Sequence, residues 1–183
     1  MSDLNNAMKI YHTAQVLHDE ATIAECLDKM AGKITLDYTG LDPLVLCVMN
    51  GGLYFTAELT KRLEFPMQVD YLHATRYGDD SVGKEVVWKA MPQAEVAGRH
   101  VLVLDDILDE GYTLAAIQNA LQEQGAASVR MAVLTEKQHD RRCEGVNAKY
   151  VGLQLPDRFV FGCGMDYKGY FRNLRAIYGI EGI

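Results

Sequence analysis

The chain is poor in several things, and each scarcity argues against a class of protein. Among its 183 residues there are 4 cysteines, Cys26, Cys47, Cys143 and Cys163. No two stand in Cys-x-x-Cys spacing, and the 5 histidines show no metal-ligand spacing with them. That argues against a disulfide framework and a structural zinc, and for buried or idle thiols in a reducing cytoplasm. Positive charge is in deficit too: 18 Lys and Arg stand against 25 Asp and Glu, a formal net charge of −7. Nucleic acids and anionic membranes are bound through a basic footprint, so neither is expected as a partner. There is no apolar run long enough to span a bilayer. The opening residues, MSDLNNAMKIYHTAQVLHDE, are polar and mixed in charge and do not read as a signal peptide. Gly and Pro are not in excess, and no repeat at solenoid spacing or low-complexity tract is present. A single domain, 49% hydrophobic and long enough for one well-filled core, is what remains.

Within it, apolar residues follow two periods. Over 19–38, Ile23, Leu27, Met30, Ile34 and Tyr38 fall on one helical face, and Asp19 and Glu20 suit the positive N-terminal end. Residues 44–49, LVLCVM, are an unbroken apolar run of strand length that stops at Gly51 and Gly52. A helix is expected over 54–63, a strand over 67–74, a polar loop (RYGDDSVGK) over 76–84 and a short strand over 85–89. Residues 101–104 give the clearest buried strand, ending in Asp105 and Asp106. A helix over 113–124, closed by Gly125, and a strand over 129–134 follow. Continuous apolar strands separated by helices imply an α/β fold, a mostly parallel sheet flanked by helices on both faces. Ligands bind beyond the carboxyl ends of such strands. The loops at 50–52, at 105–113 and after 134 should therefore share one cleft. The tail from 138, weaker in periodicity, is expected to form with the N-terminal segment a small hood over a core of about 16–137.

The segment VLVLDDILDEGYTL, residues 101–114, carries the chemistry. Its apolar strand delivers Asp105 and Asp106 to the sheet edge, with Asp109 one short turn on. Gly111 and Thr113 then open a helix whose free backbone N–H groups suit a phosphate. Carboxylates beside an anion site make sense if they grip hydroxyl groups or a divalent metal between them. Acidic pairs at strand ends also occur in phosphate-hydrolysing motor folds, in receiver domains and as purely structural turns; the chain lacks the Gly-rich loop ending in Gly-Lys-Ser/Thr that the first of these requires.

These residues resemble the phosphoribosyl pyrophosphate (PRPP) signature of type I phosphoribosyltransferases. LPDRFVFGCGMDYKGYFRNL, residues 155–174, is similar to the C-terminal segment of the hypoxanthine-guanine phosphoribosyltransferases, and VLCVMNGG to their pyrophosphate loop. TEKQ, residues 135–138, sits where that family has its purine-contacting lysine. The likeness runs in order from about 16 to 180.

It implies a type I phosphoribosyltransferase fold and transfer of the phosphoribosyl group of PRPP to a 6-oxopurine. The products would be pyrophosphate and a purine nucleoside monophosphate. Asp105 and Asp106 would hold the ribose hydroxyls, directly and through Mg2+, because a vicinal diol and a hard cation both want ionised oxygen ligands. Asp109 would exchange the proton of the purine imidazole ring. The backbone over Glu110, Gly111 and Tyr112, with Thr113, would cradle the 5-phosphate. Lys137 would donate to the six-position oxygen, Phe159 would stack on the base, and Val160 would offer its backbone to the base edge. Asp166, beside the purine, would also bind magnesium, while Asn50, Gly51 and Arg172 would meet pyrophosphate. Arg76 and Tyr77 match a mobile loop that closes over the reaction. A non-proline cis peptide in the pyrophosphate loop and a homodimer or homotetramer are further implications. The chain departs from the pattern at Asn50, where some relatives carry lysine, at Asp105, where many have Glu, and at Glu110 and Tyr112, which replace Thr and Lys. A PRPP-sensing regulatory protein that binds nucleic acid is the alternative, against which the charge of −7 speaks.

Overall fold

A computed structural model of the chain describes residues 3–76 and 86–181. In chain order the elements are α1 (Asp3–Thr13), β1 (Gln15–His18), α2 (Glu20–Tyr38), β2 (Leu44–Val48), α3 (Gly52–Thr60), β3 (Gln68–Arg76), β4 (Val86–Ala90), β5 (His100–Leu108), α4 (Tyr112–Glu123), β6 (Ser128–Lys137), β7 (Tyr150–Leu155), β8 (Val160–Phe161) and β9 (Ile177–Gly179). The apolar runs become adjacent strands of a six-stranded sheet ordered β4-β3-β2-β5-β6-β7. Only β4 is antiparallel to its neighbour; the other strands run parallel.

The period-2 alternation of strands sorts the core into two layers. Val45, Leu102, Leu104, Ala132 and Leu134 pack under α2 and α3, with Ile23, Leu27, Ile34 and Phe55. Leu44, Leu46, Val101, Val103, Met131 and Val133 face the other way, toward Leu114, Ile117 and Leu121 of α4. Both faces of the central strands are therefore covered, which is why their sequences are continuously apolar. The start of α2 is fixed by Asp19, whose carboxylate accepts the Thr22 N–H at 2.8 Å. A second, three-stranded antiparallel sheet, ordered β1-β9-β8, stands apart from the first.

Several boundaries differ from expectation. Strand β5 does not end before the acidic pair: its ladder with β6 continues through Asp105–Val133 and Ile107–Thr135 to Leu108–Glu136. Backbone pairing on a central strand does not depend on side-chain polarity, so Asp105 and Asp106 lie inside the sheet. Strand β6 likewise reaches Lys137. Helix α3 begins at Gly52, two residues before the expected start. Residues 150–155, expected in the hood, form β7 at the edge of the large sheet. Neither α1 nor β1 was signalled by periodicity. Tyr77 and the side chain of Arg76, assigned to a closing loop, lie outside the described residues.

Candidate active site

Three chain segments meet at the carboxyl ends of β2 and β5. The loop after β2 carries a cis peptide between Met49 and Asn50. It then passes so close to β5 that a Cβ on Gly51 would stand 2.1 Å from Asp106 Oδ2. From above, Gly164, with φ +107°, packs so that its own Cβ would fall 2.1 Å from the Gly51 carbonyl oxygen. Only glycine permits both approaches. Around this contact opens a cleft of about 460 Å3, lined by Asn50, Gly51, Asp105, Asp106, residues 109–113 and Arg172.

Asp105 and Asp106 are both buried. Burial pushes the Asp105 carboxyl well above the usual carboxylate range, and the neighbouring Asp106 charge adds to that. Burial also raises Asp106, while its hydrogen bond with Asp105 and the Arg172 guanidinium work in the opposite direction. The Asp106 N–H donates to Asp105 Oδ1 at 2.9 Å, and the Thr135 hydroxyl donates to the Asp106 carbonyl at 2.9 Å. The pair is thus rigidly seated and short of positive charge. Beyond it, Gly111 (φ 87°) turns the chain into α4, whose first helical bond is Ala115 N–H to the Gly111 carbonyl at 2.9 Å. Residues 111–114, at the start of the helix, line the same cleft, and a helix N-terminus is an arrangement that suits an anion.

A second cavity of about 190 Å3 adjoins the first, lined by Asp106, Asp109, Lys137, Phe159, Val160, Asp166 and Arg172 among others. Phe159 keeps 37% of its surface exposed and is held edge-on to Tyr167, centroids 5.6 Å apart. Val160 is fixed by pairing with Gly179. Lys137 Nζ lies 2.8 Å from Asp109 Oδ2. Partial burial pushes the Asp109 carboxyl up, but its hydrogen bonds with Lys137 and His139 and the Lys137 charge outweigh that and hold it below the ordinary value.

The fold brings Asp105, Asp106, Asp109, Lys137, Phe159, Val160, Asp166 and Arg172 to one region. It does not gather the three carboxylates assigned to magnesium. Asp166 Oδ1 is paired with Arg172 Nη2 at 2.5 Å, and Oδ2 accepts the Gly169 N–H at 2.6 Å. Among the described residues, no group of three or more His, Cys, Asp or Glu is placed to hold a metal. Arg172 is itself tied down, donating from Nη1 to the Gly164 carbonyl at 2.6 Å. Sequence reasoning missed three cationic or basic side chains. His73 and Lys89 line the large cleft from β3 and β4, and nothing in their strands marked them out. His139, whose side chain is 2% exposed, lies 2.7 Å from Asp109 Oδ1.

A parallel sheet whose central strand carries two buried acids toward a helix N-terminus, beside an aromatic pocket with a paired lysine, defines a phosphoribosyltransferase of type I. The sequence profile of the phosphoribosyl transferase domain matches residues 12–168. The chain is 35% identical over 163 residues to the hypoxanthine-guanine phosphoribosyltransferase of Streptococcus pneumoniae, covering 88% of this chain and 89% of that one. It is 31% identical to the hypoxanthine-guanine-xanthine phosphoribosyltransferase of Tritrichomonas foetus, covering 89% of each. Among solved structures, a hypoxanthine phosphoribosyltransferase of Staphylococcus aureus superposes with a TM-score of 0.86 at 31% identity, over 98% of this chain and 95% of that one. The chain belongs to the hypoxanthine-guanine phosphoribosyltransferase family.

Proposed function

We propose that this protein salvages purines by transferring the 5-phosphoribosyl group of PRPP to a 6-oxopurine, hypoxanthine or guanine or both. The products are the nucleoside 5'-monophosphate and pyrophosphate. The observation that carries the reading is the meeting of Asp109 and Lys137 in one cavity, between the buried acids and Phe159.

Asp105 and Asp106 grip the ribose diol, and their chemistry fits a divalent cation as well. Two buried carboxylates whose ionised form is disfavoured by burial supply hard oxygen donors in need of positive charge. Magnesium is ordinarily held by one or two carboxylates together with substrate phosphates, so this pair suffices without Asp166. Bound there with PRPP, magnesium would supply charge that stabilises the departing pyrophosphate. The first amides of α4 receive the 5-phosphate. The loop amides from Asn50 to Gly52 receive pyrophosphate, with Arg172 alongside.

In the transfer, the bond from the anomeric carbon to pyrophosphate breaks and a bond to a purine ring nitrogen forms. The proton on the imidazole ring of the base passes to Asp109. Negative charge on Asp105 and Asp106 favours the cationic character that develops at the sugar. Lys137 exchanges Asp109 for the six-position oxygen of the base. An ammonium can only donate, so it matches an oxo group and opposes an amino group. Phe159 offers its exposed face to the ring. Assembly as a homodimer or homotetramer, common in the family, is part of the same reading.

Incubation with PRPP, magnesium and a panel of bases, followed by chromatography, tests this directly. Hypoxanthine or guanine should yield nucleotide and adenine should not. Adenine turnover comparable to that of hypoxanthine would overturn the assignment.

A further inference from the structure

Asp109 has two carboxylate oxygens, and they are held in different ways. Oδ2 meets Lys137 Nζ at 2.8 Å, a contact that must open for the lysine to reach a base. Oδ1 meets His139 Nε2 at 2.7 Å. The other ring nitrogen of His139 is also engaged: the Arg141 backbone N–H donates to Nδ1 at 3.1 Å. An imidazole nitrogen that accepts an N–H carries no proton of its own. The ring proton of the neutral imidazole therefore sits on Nε2, aimed at Asp109, and the tautomer is set by the main chain.

The turn that presents His139 is itself anchored on both sides. The Gln138 N–H donates to the Leu155 carbonyl at 2.9 Å, extending the β6–β7 ladder by one step. Two residues past His139, Arg141 forms a two-point pair with Asp157, Nη1 to Oδ2 at 2.7 Å and Nη2 to Oδ1 at 2.8 Å. Arg142 then binds Glu136 at 2.5 Å and the Lys137 carbonyl at 3.1 Å. With a side chain only 2% exposed, His139 has little room to rotate away.

We propose that His139 is a positioning residue for the transfer reaction, holding Asp109 Oδ1 throughout so that Oδ2 alone passes from Lys137 to the ring proton of the base. The inference rests on the proposed phosphoribosyl transfer, in which Asp109 is the proton acceptor. No new bond or proton transfer is added. His139 aims the carboxylate and, by donating to its ionised form, favours that form. The charged and titratable groups around the dyad include Lys137 at the end of β6, Arg141 and Asp157 behind the turn, Glu110 beside Asp109, and Asp105, Asp106, Asp166 and Arg172 across the two cavities. By sign of charge, Lys137, Arg141 and Arg172 also favour an ionised Asp109, while the carboxylates oppose it. The effect of His139 must therefore be read as a change upon its removal.

The test uses the full chain with His139→Leu, which deletes the donor, and His139→Gln, which can restore one. His139→Leu should lower kcat about tenfold or more while KM for PRPP stays within about twofold, and should move the acid limb of kcat/KM for the base to higher pH. His139→Gln should recover a large part of kcat. In an Asp109→Asn background, His139→Leu should have little further effect, because no proton acceptor remains to be aimed. An unmoved acid limb with near-normal kcat, or a full additive loss in the Asp109→Asn background, would overturn the proposal. A readout free of activity keeps it separate from the proposed reaction. In nitrogen NMR of the neutral protein, His139 should carry its proton on Nε2, and finding it on Nδ1 would refute the geometry even if the reaction is correct.

Discussion

Replacing Gly164 by alanine should injure both stability and substrate binding, and by an amount that can be apportioned. Two effects add at this position. The backbone lies at φ +107°, where an L side chain is strained, and the new Cβ would stand 2.1 Å from the Gly51 carbonyl oxygen and 3.2 Å from Asp106 Cβ. The conformational term is about 1–2 kcal/mol, and overpacking adds about 1–3 kcal/mol. Gly169 is the control, because it sits at φ +84° with nothing within 4 Å of an added Cβ. Gly169→Ala should therefore show the first term alone. In a chain of this size about 1 kcal/mol moves Tm by about 2–4 °C, so Gly164→Ala should melt at least several degrees below Gly169→Ala. Yielding by the neighbours would push Gly51 and Asp106 apart, and KM for PRPP should rise by about tenfold, equivalent to about 1.4 kcal/mol. Thermal melts and initial-rate kinetics on the two variants decide the matter. Equal melting points and equal KM values would show that the tight contact of Gly164 with the pyrophosphate loop has no energetic role.

Asp106→Asn should raise Tm of the free protein while abolishing most turnover, because it removes a buried charge that Arg172 and the hydrogen bond with Asp105 offset only in part. The pH dependence has a definite sign. Burial raises both carboxyls above the ordinary carboxylate value of 3.8, so the destabilisation they cause is complete above their raised folded values and fades as pH falls toward 3.8. The gain from Asp106→Asn should shrink on acidification in melts recorded without ligand, and a lower Tm at neutral pH would contradict the reasoning. Asp109→Asn should lower kcat by about 10²-fold or more with little change in KM for PRPP. Near-normal turnover would mean that Asp109 serves only the turn.

Much of the large sheet was legible because its central strands are buried on both faces. The runs at 44–49, 101–104 and 129–134 needed no partner information to be read as parallel strands. The helix over 19–38 was equally plain, since five apolar residues fall on one face behind a capping aspartate. Strand β7 was not legible, for a physical reason. It is an edge strand of only 6 residues interrupted by Gly152, where a Cβ would meet the Leu134 carbonyl oxygen at 2.5 Å. The burial of Asp105 and Asp106 was also hidden, because two adjacent carboxylates look like the end of a strand. His139 illustrates the limit for sites. Lys137 and His139 are two residues apart, a spacing that puts side chains on one face of an extended chain. That pattern could have linked them, but a lone histidine in a polar tail gives no hint of its partner.

The order of strands sets a scale for the reaction. Strand β5 lies between β2 and β6, and neighbouring strands are about 4.8 Å apart. On the proposed reading, the leaving group is met at the end of β2, the sugar at β5 and the incoming base at the end of β6. The sheet then works as a ruler with about 10 Å between its outer marks, and the anomeric carbon over the middle one. Nucleophile and leaving group are kept on opposite sides of that carbon, so inversion at the sugar follows from strand order. Changes at the end of β6 could alter which base is accepted while leaving the grip on pyrophosphate, two strands away, as it was.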